Sequence, residues 1–334
     1  MADDDKKKTL TILTPCYNEE KNVEEVYRRV RDQVRGLQRY HYEHIFIDNA
    51  STDRTVDVLK RLAEHDHNIK IIVNSRNFGH IRSPMHALMQ SRGDAVIGIV
   101  ADLQDPPELI PTLVEKWESG FAMVLCVKRS SEENPLMFWV RKKYYQIIGK
   151  LSSIETFENF TGFGLYDRKV VDAVHSFRDP YPYFRGLIAE IGLPHCKVLY
   201  DQPTRKTGKS KTNLYALYDM AMVAITNLSK VPLRVVTFSG FVGAVLSMLV
   251  ALLYLGYKLI YWDSFSAGVA PVVIGLSFFS SIQMLSLGIV GEYIGTIHTN
   301  VQARPYVIER ERVNFEHPPG EPLADDLHTE TGAS

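Results

Sequence analysis

Three short stretches combine carboxylates, amides and hydroxyls in a way that could do chemistry. The first is Thr14-Pro15-Cys16-Tyr17-Asn18-Glu19-Glu20, the second Asp48-Asn49-Ala50-Ser51-Thr52-Asp53, and the third Val100-Ala101-Asp102-Leu103-Gln104-Asp105-Pro106-Pro107-Glu108. Each directly follows a short apolar run that reads as a strand. Residues placed at strand ends can stack on, or hydrogen-bond to, a base and its ribose, and Asp48 suits a uracil ring nitrogen or a sugar hydroxyl. Asn49 to Asp53 reads better as a turn and helix cap. In the third stretch, Asp102 with oxygen donors two and three residues on is the set that Mg²⁺ or Mn²⁺ requires when the ion also bridges phosphate oxygens. The same stretch suits a helix start, with Asp105 capping and Pro107 in the first turn. The two readings are compatible, with Asp102 and Gln104 serving a metal while Asp105-Pro106-Pro107 opens the helix.

The elements that must position these residues are legible before residue 130. Candidate strands are Leu10–Thr14, His44–Ile47, Ile69–Val73, Ala95–Val100 and Met123–Val127. Between the first two, Val23, Val26, Tyr27, Val30, Val34 and Leu37 recur at helical spacing, and Val56, Leu59, Leu62 and Ala63 do so after the second. The alternation predicts an α/β fold with a mostly parallel sheet and flanking helices, binding ligands at the carboxyl ends of its strands. No G-x-G-x-x-G follows the first strand, which argues against a dinucleotide oxidoreductase.

The chain of 334 residues has a net charge of −1, which argues against a nucleic-acid partner. Its three cysteines, Cys16, Cys126 and Cys196, form neither a disulfide framework nor a zinc pattern, and His80, His86 and His195 lack metal-ligand spacing. A mean hydropathy of −0.11 conceals two uncharged runs, Val235–Tyr257 and Ser264–Gly291. Each exceeds the roughly 20 residues needed to cross a bilayer. Lys230 and Arg234 precede the first run and Arg304, Arg310 and Arg312 follow the second, which predicts cytoplasmic ends on both sides. The amino terminus lacks the pattern of a signal peptide. Asn213–Leu228 carries an apolar stripe that suits either a helix in the membrane interface or an ordinary helix packed on the preceding domain. The expected organisation is a cytoplasmic catalytic domain at 1–212, an interfacial helix at 213–232, two transmembrane helices at 233–300 and a cytoplasmic tail at 301–334, disordered after Arg312. Gly240, Gly243 and Ala244 in the first span suit close approach of helices, and hence a homo-oligomer.

Further motifs complete a pattern: Arg76-Asn77-Phe78-Gly79, the run Asn159 to Arg168, Arg205-Lys206-Thr207-Gly208-Lys209-Ser210-Lys211, then Gly291-Glu292-Tyr293-Ile294-Gly295 and Arg304-Pro305. From Thr14 to Ile308 the chain resembles the family-2 glycosyltransferases of GT-A fold, in particular the dolichol-phosphate mannosyltransferase and bactoprenol glucosyltransferase group. The resemblance implies an inner (plasma) membrane enzyme that moves a sugar, with inversion, from a nucleotide-diphosphate sugar such as UDP-glucose to polyprenyl phosphate for the cell envelope. It implies that Pro15, Tyr17, Glu19, Asp48, Asp102 and Gln104 bind the nucleotide-sugar, and that Asp102 and Gln104 hold Mg²⁺ or Mn²⁺. By the same resemblance Arg129, Arg141 and Arg205 grip the acceptor phosphate, while Asp102, Arg205 and Lys211 carry catalysis. Relatives usually show Asp-x-Asp-x-Gln where this chain has Val100, so the metal site is expected to lean on donor phosphate oxygens and Asp105. A catalytically idle nucleotide-sugar-binding scaffold is the alternative that Val100 supports. A processive polysaccharide synthase would need more spans and a Gln-x-x-Arg-Trp motif.

Overall fold

The structure, a computed structural model, describes residues 7–129, 157, 159–177, 179–203, 230–260, 269–302 and 304–315. The chain divides into two compact units. The first comprises 1–132, 157–210 and 304–334, and the second 133–156 and 211–303.

The first unit is built on an eight-stranded sheet in the order β7-β5-β6-β4-β1-β2-β3-β8. Its strands are β1 (Thr9–Cys16), β2 (His41–Asp48), β3 (Ile69–Asn74), β4 (Ala95–Gly98), β5 (Met123–Lys128), β6 (Phe160–Asp167), β7 (His195–Tyr200) and β8 (Glu309–Val313). All five strands expected from the sequence are present, and β1, β2, β3 and β4 pair in parallel. Their near-continuous Val, Ile and Leu content reflects burial on both faces. Helices α1 (Val23–Arg35), α2 (Thr55–His65), α3 (Gly79–Gln90), α4 (Ile110–Glu118), α5 (Arg168–Ser176) and α6 (Phe184–Ile191) flank the sheet. The apolar face expected of the first helix is the one α1 buries, through Val23, Val26, Tyr27, Val30 and Val34.

The sheet is mixed rather than mostly parallel, because β6 runs antiparallel to both β4 and β5, and β8 antiparallel to β3. Glycine makes the β6 insertion possible: a Cβ on Gly164 would lie 2.4 Å from the Val124 carbonyl oxygen of β5. Strand β8 forms in the tail, almost wholly ahead of the stretch after Arg312 that is expected to be disordered. Its Glu-Arg-Glu-Arg-Val sequence has no apolar face, and charged pairs hold it at the sheet edge. Lys60 bonds Glu311 at 2.6 Å, His86 and Arg312 both reach Glu309, and Asn314 donates to the carbonyls of Ala63 and Ile69 at 3.0 and 2.9 Å.

The second unit contains α7 (Val231–Ile260) and α8 (Val269–Val301). At 1.5 Å per residue they are roughly 45 and 50 Å long, enough for a hydrocarbon core of about 30 Å. Among the described residues, Val231–Val250 has a hydropathy of 1.9 with none of its surface enclosed, and is long and apolar enough to cross a membrane. Phe238 and Phe241 are 71% and 67% exposed, an apolar surface of the kind that marks contact with lipid or a partner. The expected second run falls within α8 from Val269 onward, and residues 213–228 lie outside the described residues.

One buried ion pair tests the sheet. Glu43 of β2 accepts from Lys70 of β3 at 2.7 Å, from the Thr11 hydroxyl at 2.5 Å and from the Arg92 backbone N–H at 3.0 Å. Burial pushes its pKa up, but these donors outweigh burial and leave it below the ordinary value. A depressed carboxylate stabilises the fold above its unfolded pKa, and that contribution is lost as pH falls through the folded value. Glu43→Ala strands Lys70, so urea denaturation at neutral pH should show a loss of about 3–5 kcal/mol, shrinking in acid.

Candidate functional site

The ends of β1, β2 and β4 are brought together by register. Cys16 stands opposite Asp48, and Leu13 opposite Gly98. The segments leaving β1 and β2 then clasp each other. The Asn18 N–H donates to Ser51 Oγ at 2.8 Å, and the Thr52 N–H returns to Asn18 Oδ1 at 2.7 Å. Glu19 N–H bonds Thr55 Oγ1 at 2.9 Å, and Glu20 N–H bonds Asp53 Oδ2 at 3.2 Å. Asn18 and Ala50 adopt positive φ of 56° and 61° to allow this. Asparagine tolerates that region, whereas alanine is strained there.

Of the residues expected to bind nucleotide-sugar, Pro15, Tyr17 and Glu19 lie partly exposed along this edge. Asp48 lies beneath them with no exposed surface. One of its oxygens accepts the Ser51 N–H at 2.9 Å and the other accepts the Ser51 hydroxyl. Burial raises its pKa, the Ser51 bonds oppose that, Asp53 adds to the rise and Arg310 counters it. Asp48 thereby shapes the Asp48–Asp53 turn, the capping role expected of its neighbours. Burial and the charges of Asp48, Glu19 and Asp53 push the Cys16 thiol well up, so it supplies no thiolate nucleophile.

Asn49, read from sequence as a turn residue, connects this turn to a third loop. Its Oδ1 accepts from the Phe78 N–H at 2.9 Å and from Asn74 Nδ2 at 3.1 Å. Its Nδ2 donates to Asn77 Oδ1 at 2.9 Å and to the Gly79 carbonyl at 3.1 Å. The Arg76–Gly79 loop is thus a wall of the same edge. The resemblance marked that motif without assigning it a part.

Beyond β4, the chain turns sharply with Leu103 buried at a φ of 63°. Asp102 and Gln104 emerge on the partly exposed side, and Asp102 Oδ1 accepts the Gln104 N–H at 3.1 Å. Asp105 points inward, accepting from the Val100 N–H at 3.2 Å and the Tyr200 hydroxyl at 3.3 Å. Asp105 therefore braces the turn instead of capping a helix. A short 3₁₀ turn at Pro107–Leu109 leads into α4. Both of its carboxyl oxygens thus already accept hydrogen bonds from the protein. Burial lifts its pKa to about 6, with the Val100 bond opposing and the Asp102 charge adding. Val100, where the resemblance leads one to expect a carboxylate, is 38% exposed.

No group of three or more His, Cys, Asp and Glu side chains is gathered in metal-binding fashion among the described residues. Asp102 and Gln104 would offer a metal two side-chain oxygens. That set fits a hard cation sharing its remaining positions with phosphate and water, and does not fit a preformed cage. Arg129 follows β5, largely exposed, with Asp201 3.7 Å away. Arg141, Arg205 and Lys211 lie outside the described residues.

The glycosyl transferase family 2 profile matches residues 11–175. An uncharacterized glycosyltransferase of Synechocystis is 35% identical over 94% of this chain and 98% of its own length. The bactoprenol glucosyl transferase of Shigella phage SfII is 33% identical over 90% of this chain and 97% of its own. Among solved structures, glucosyl-3-phosphoglycerate synthase of Mycobacterium tuberculosis, in complex with Mn²⁺ and UDP-glucose, aligns at 18% identity and a TM-score of 0.43, covering 66% of this chain and 77% of that one. A strand-end site on an α/β sheet, with relatives matched end to end, defines a sugar-transferring enzyme. The chain belongs to glycosyltransferase family 2.

The buried acid gives a pH prediction. A carboxyl with a raised folded pKa favours the fold below its unfolded value, and that advantage fades as pH rises through about 6. Two pKa units correspond to on the order of 2–3 kcal/mol. Asp105→Asn should flatten the stability profile between pH 4 and 7 in urea titrations of the detergent-solubilised protein.

Proposed function

We propose that this enzyme transfers a single sugar from a uridine-diphosphate sugar, glucose being the first choice, to polyprenyl phosphate at the cytoplasmic face of the cell's inner membrane. The observation that carries this reading is the end-to-end likeness to bactoprenol glucosyl transferases, which extends through the apolar helices as well as the catalytic unit. A family relationship confined to the sheet would leave the acceptor open.

Chain topology supports the membrane part. Residues on both sides of α7 and α8, Pro203 and Arg304, belong to the same compact unit. A chain that leaves and re-enters one unit must cross a bilayer an even number of times. If Val231–Val250 crosses, a second crossing must follow, and the 33-residue α8 supplies it. The protein is then a two-span membrane enzyme with its sheet in the cytoplasm, and the small residues of α7 suit a homo-oligomer.

The chemistry needs no general base, because the acceptor phosphate is already an anion at neutral pH. Its oxygen attacks the anomeric carbon from the face opposite the diphosphate. The new C–O bond forms as the old one breaks, and UDP leaves with the electron pair. Pro15, Tyr17 and Glu19 line the nucleoside side, above the turn that Asp48 shapes. Asp102 and Gln104 would hold Mg²⁺ or Mn²⁺, which when bound neutralises charge on the departing diphosphate. Arg129, Arg141, Arg205 and Lys211 supply cations for the donor and acceptor phosphates.

UDP release by the full-length protein, with UDP-glucose and a short polyprenyl phosphate, tests the reading. Release should require lipid phosphate, stop with EDTA and fall about 100-fold or more in Asp102→Ala, a rise of about 3 kcal/mol in the barrier. Nucleotide binding without turnover of any UDP-sugar would instead favour the scaffold that Val100 suggests.

A further inference from the structure

A cluster of arginines on the sheet-bearing unit borders the candidate donor site and has no part in the chemistry described so far. Arg76, in the loop after β3, places its guanidinium 4.0 Å from the centre of the Phe78 ring, and Arg82 of α3 places its own 5.5 Å from the same ring. Arg82 also donates to the carbonyl of Pro305, the residue after Arg304. Three guanidiniums therefore converge on one wall. Their mutual repulsion is visible at Arg82, whose pKa burial lowers first, and the charges of Arg76 and Arg304 lower further.

The cluster lacks what its neighbours have. Arg28, Arg29, Arg39 and Arg312 each face a glutamate within 3 Å. Among the described residues no carboxylate pairs with Arg76, Arg82 or Arg304. Glu309, the acid nearest in sequence to Arg304, is already taken by His86 and Arg312. The Arg82 Nε is buried without any hydrogen-bond partner. Buried donors in native proteins nearly always have partners, so an orphan beside two further cations points to an anion that belongs there.

Two features of the chain identify that anion. Strand β8 begins opposite Asn74 at the end of β3, so the segment from Arg304 to Ile308 runs along the same sheet edge as the candidate donor site. The Ser75 N–H bonds the Ile308 carbonyl at 2.9 Å, which extends that pairing. Arg304 also stands three residues beyond Val301, the last residue of α8. A cation so close in sequence to the end of a span meets the phosphate level of a bilayer. We propose that Arg76, Arg82 and Arg304 bind the phosphate group of a membrane lipid. The inference rests on the membrane placement proposed above.

Binding, not turnover, tests it. Full-length protein in phosphatidylcholine nanodiscs would be titrated with a short polyprenyl phosphate, with phosphatidylglycerol and, separately, with UDP. Arg82→Gln and Arg304→Gln should each weaken binding of one lipid about tenfold or more, with UDP affinity unchanged, and Arg76→Gln should weaken binding of the same lipid. Arg304→Lys should retain binding within about threefold, which separates lost charge from lost folding. Weakened polyprenyl phosphate binding assigns the cluster to the acceptor, and weakened phosphatidylglycerol binding assigns it to a headgroup. Either result supports the site. Lipid affinities unchanged in all three Gln variants would overturn it, as would a loss confined to UDP. Wild-type protein that binds lipid phosphate but releases no UDP would defeat the transfer reading and leave this site standing.

Discussion

Everything at the active edge depends on how two chain segments satisfy each other's backbone. The stretches leaving β1 and β2 have no ladder partners past Cys16 and Asp48, and their N–H groups must find acceptors in a half-buried place. Asn18, Ser51, Asp53 and Thr55 provide them in both directions. Asn49 extends the arrangement to the loop after β3. A rigid rim results from short polar side chains rather than from packing. It holds Pro15, Tyr17 and Glu19 at the surface while Asp48 works from underneath.

The turn after β4 follows the same logic with a different anchor. Asp105 takes the Val100 N–H and the Tyr200 hydroxyl, so the buried carboxyl organises the loop that presents Asp102 and Gln104. One acid is enclosed and structural while its neighbour is partly exposed. A cation held by Asp102 and Gln104 alone would depend on the phosphates it shares, which would couple its binding to the arrival of donor.

Much of the fold was legible because parallel strands buried on both faces declare themselves as apolar runs, and α1 declares its face through Val23, Val26, Val30 and Val34. Strands β6, β7 and β8 were not. β6 breaks its apolar run with glycines where it lies against β5, and β8 alternates Glu and Arg with no apolar face. At the site, Asp102 and Gln104 stand partly exposed. The bracing by Asp105 and the linking by Asn49 were hidden, because each depends on partners 25 to 95 residues away. The turns at Ala50 and Leu103 were hidden as well, because no sequence pattern announces their positive φ values.

The chain passes between the sheet unit and the helical unit four times, the last time on the return that leads into β8. The return gives the edge strand a purpose, since it ties the chain end that follows α8 to the strand beside the donor site. The most direct test of this account is the structure of the lipid product made by the full-length protein from UDP-glucose and polyprenyl phosphate, read by mass spectrometry and proton NMR. The account predicts one hexose joined through a single phosphate, with inverted anomeric configuration and UDP as co-product. A sugar joined through two phosphates with release of UMP, or a retained configuration, would contradict it.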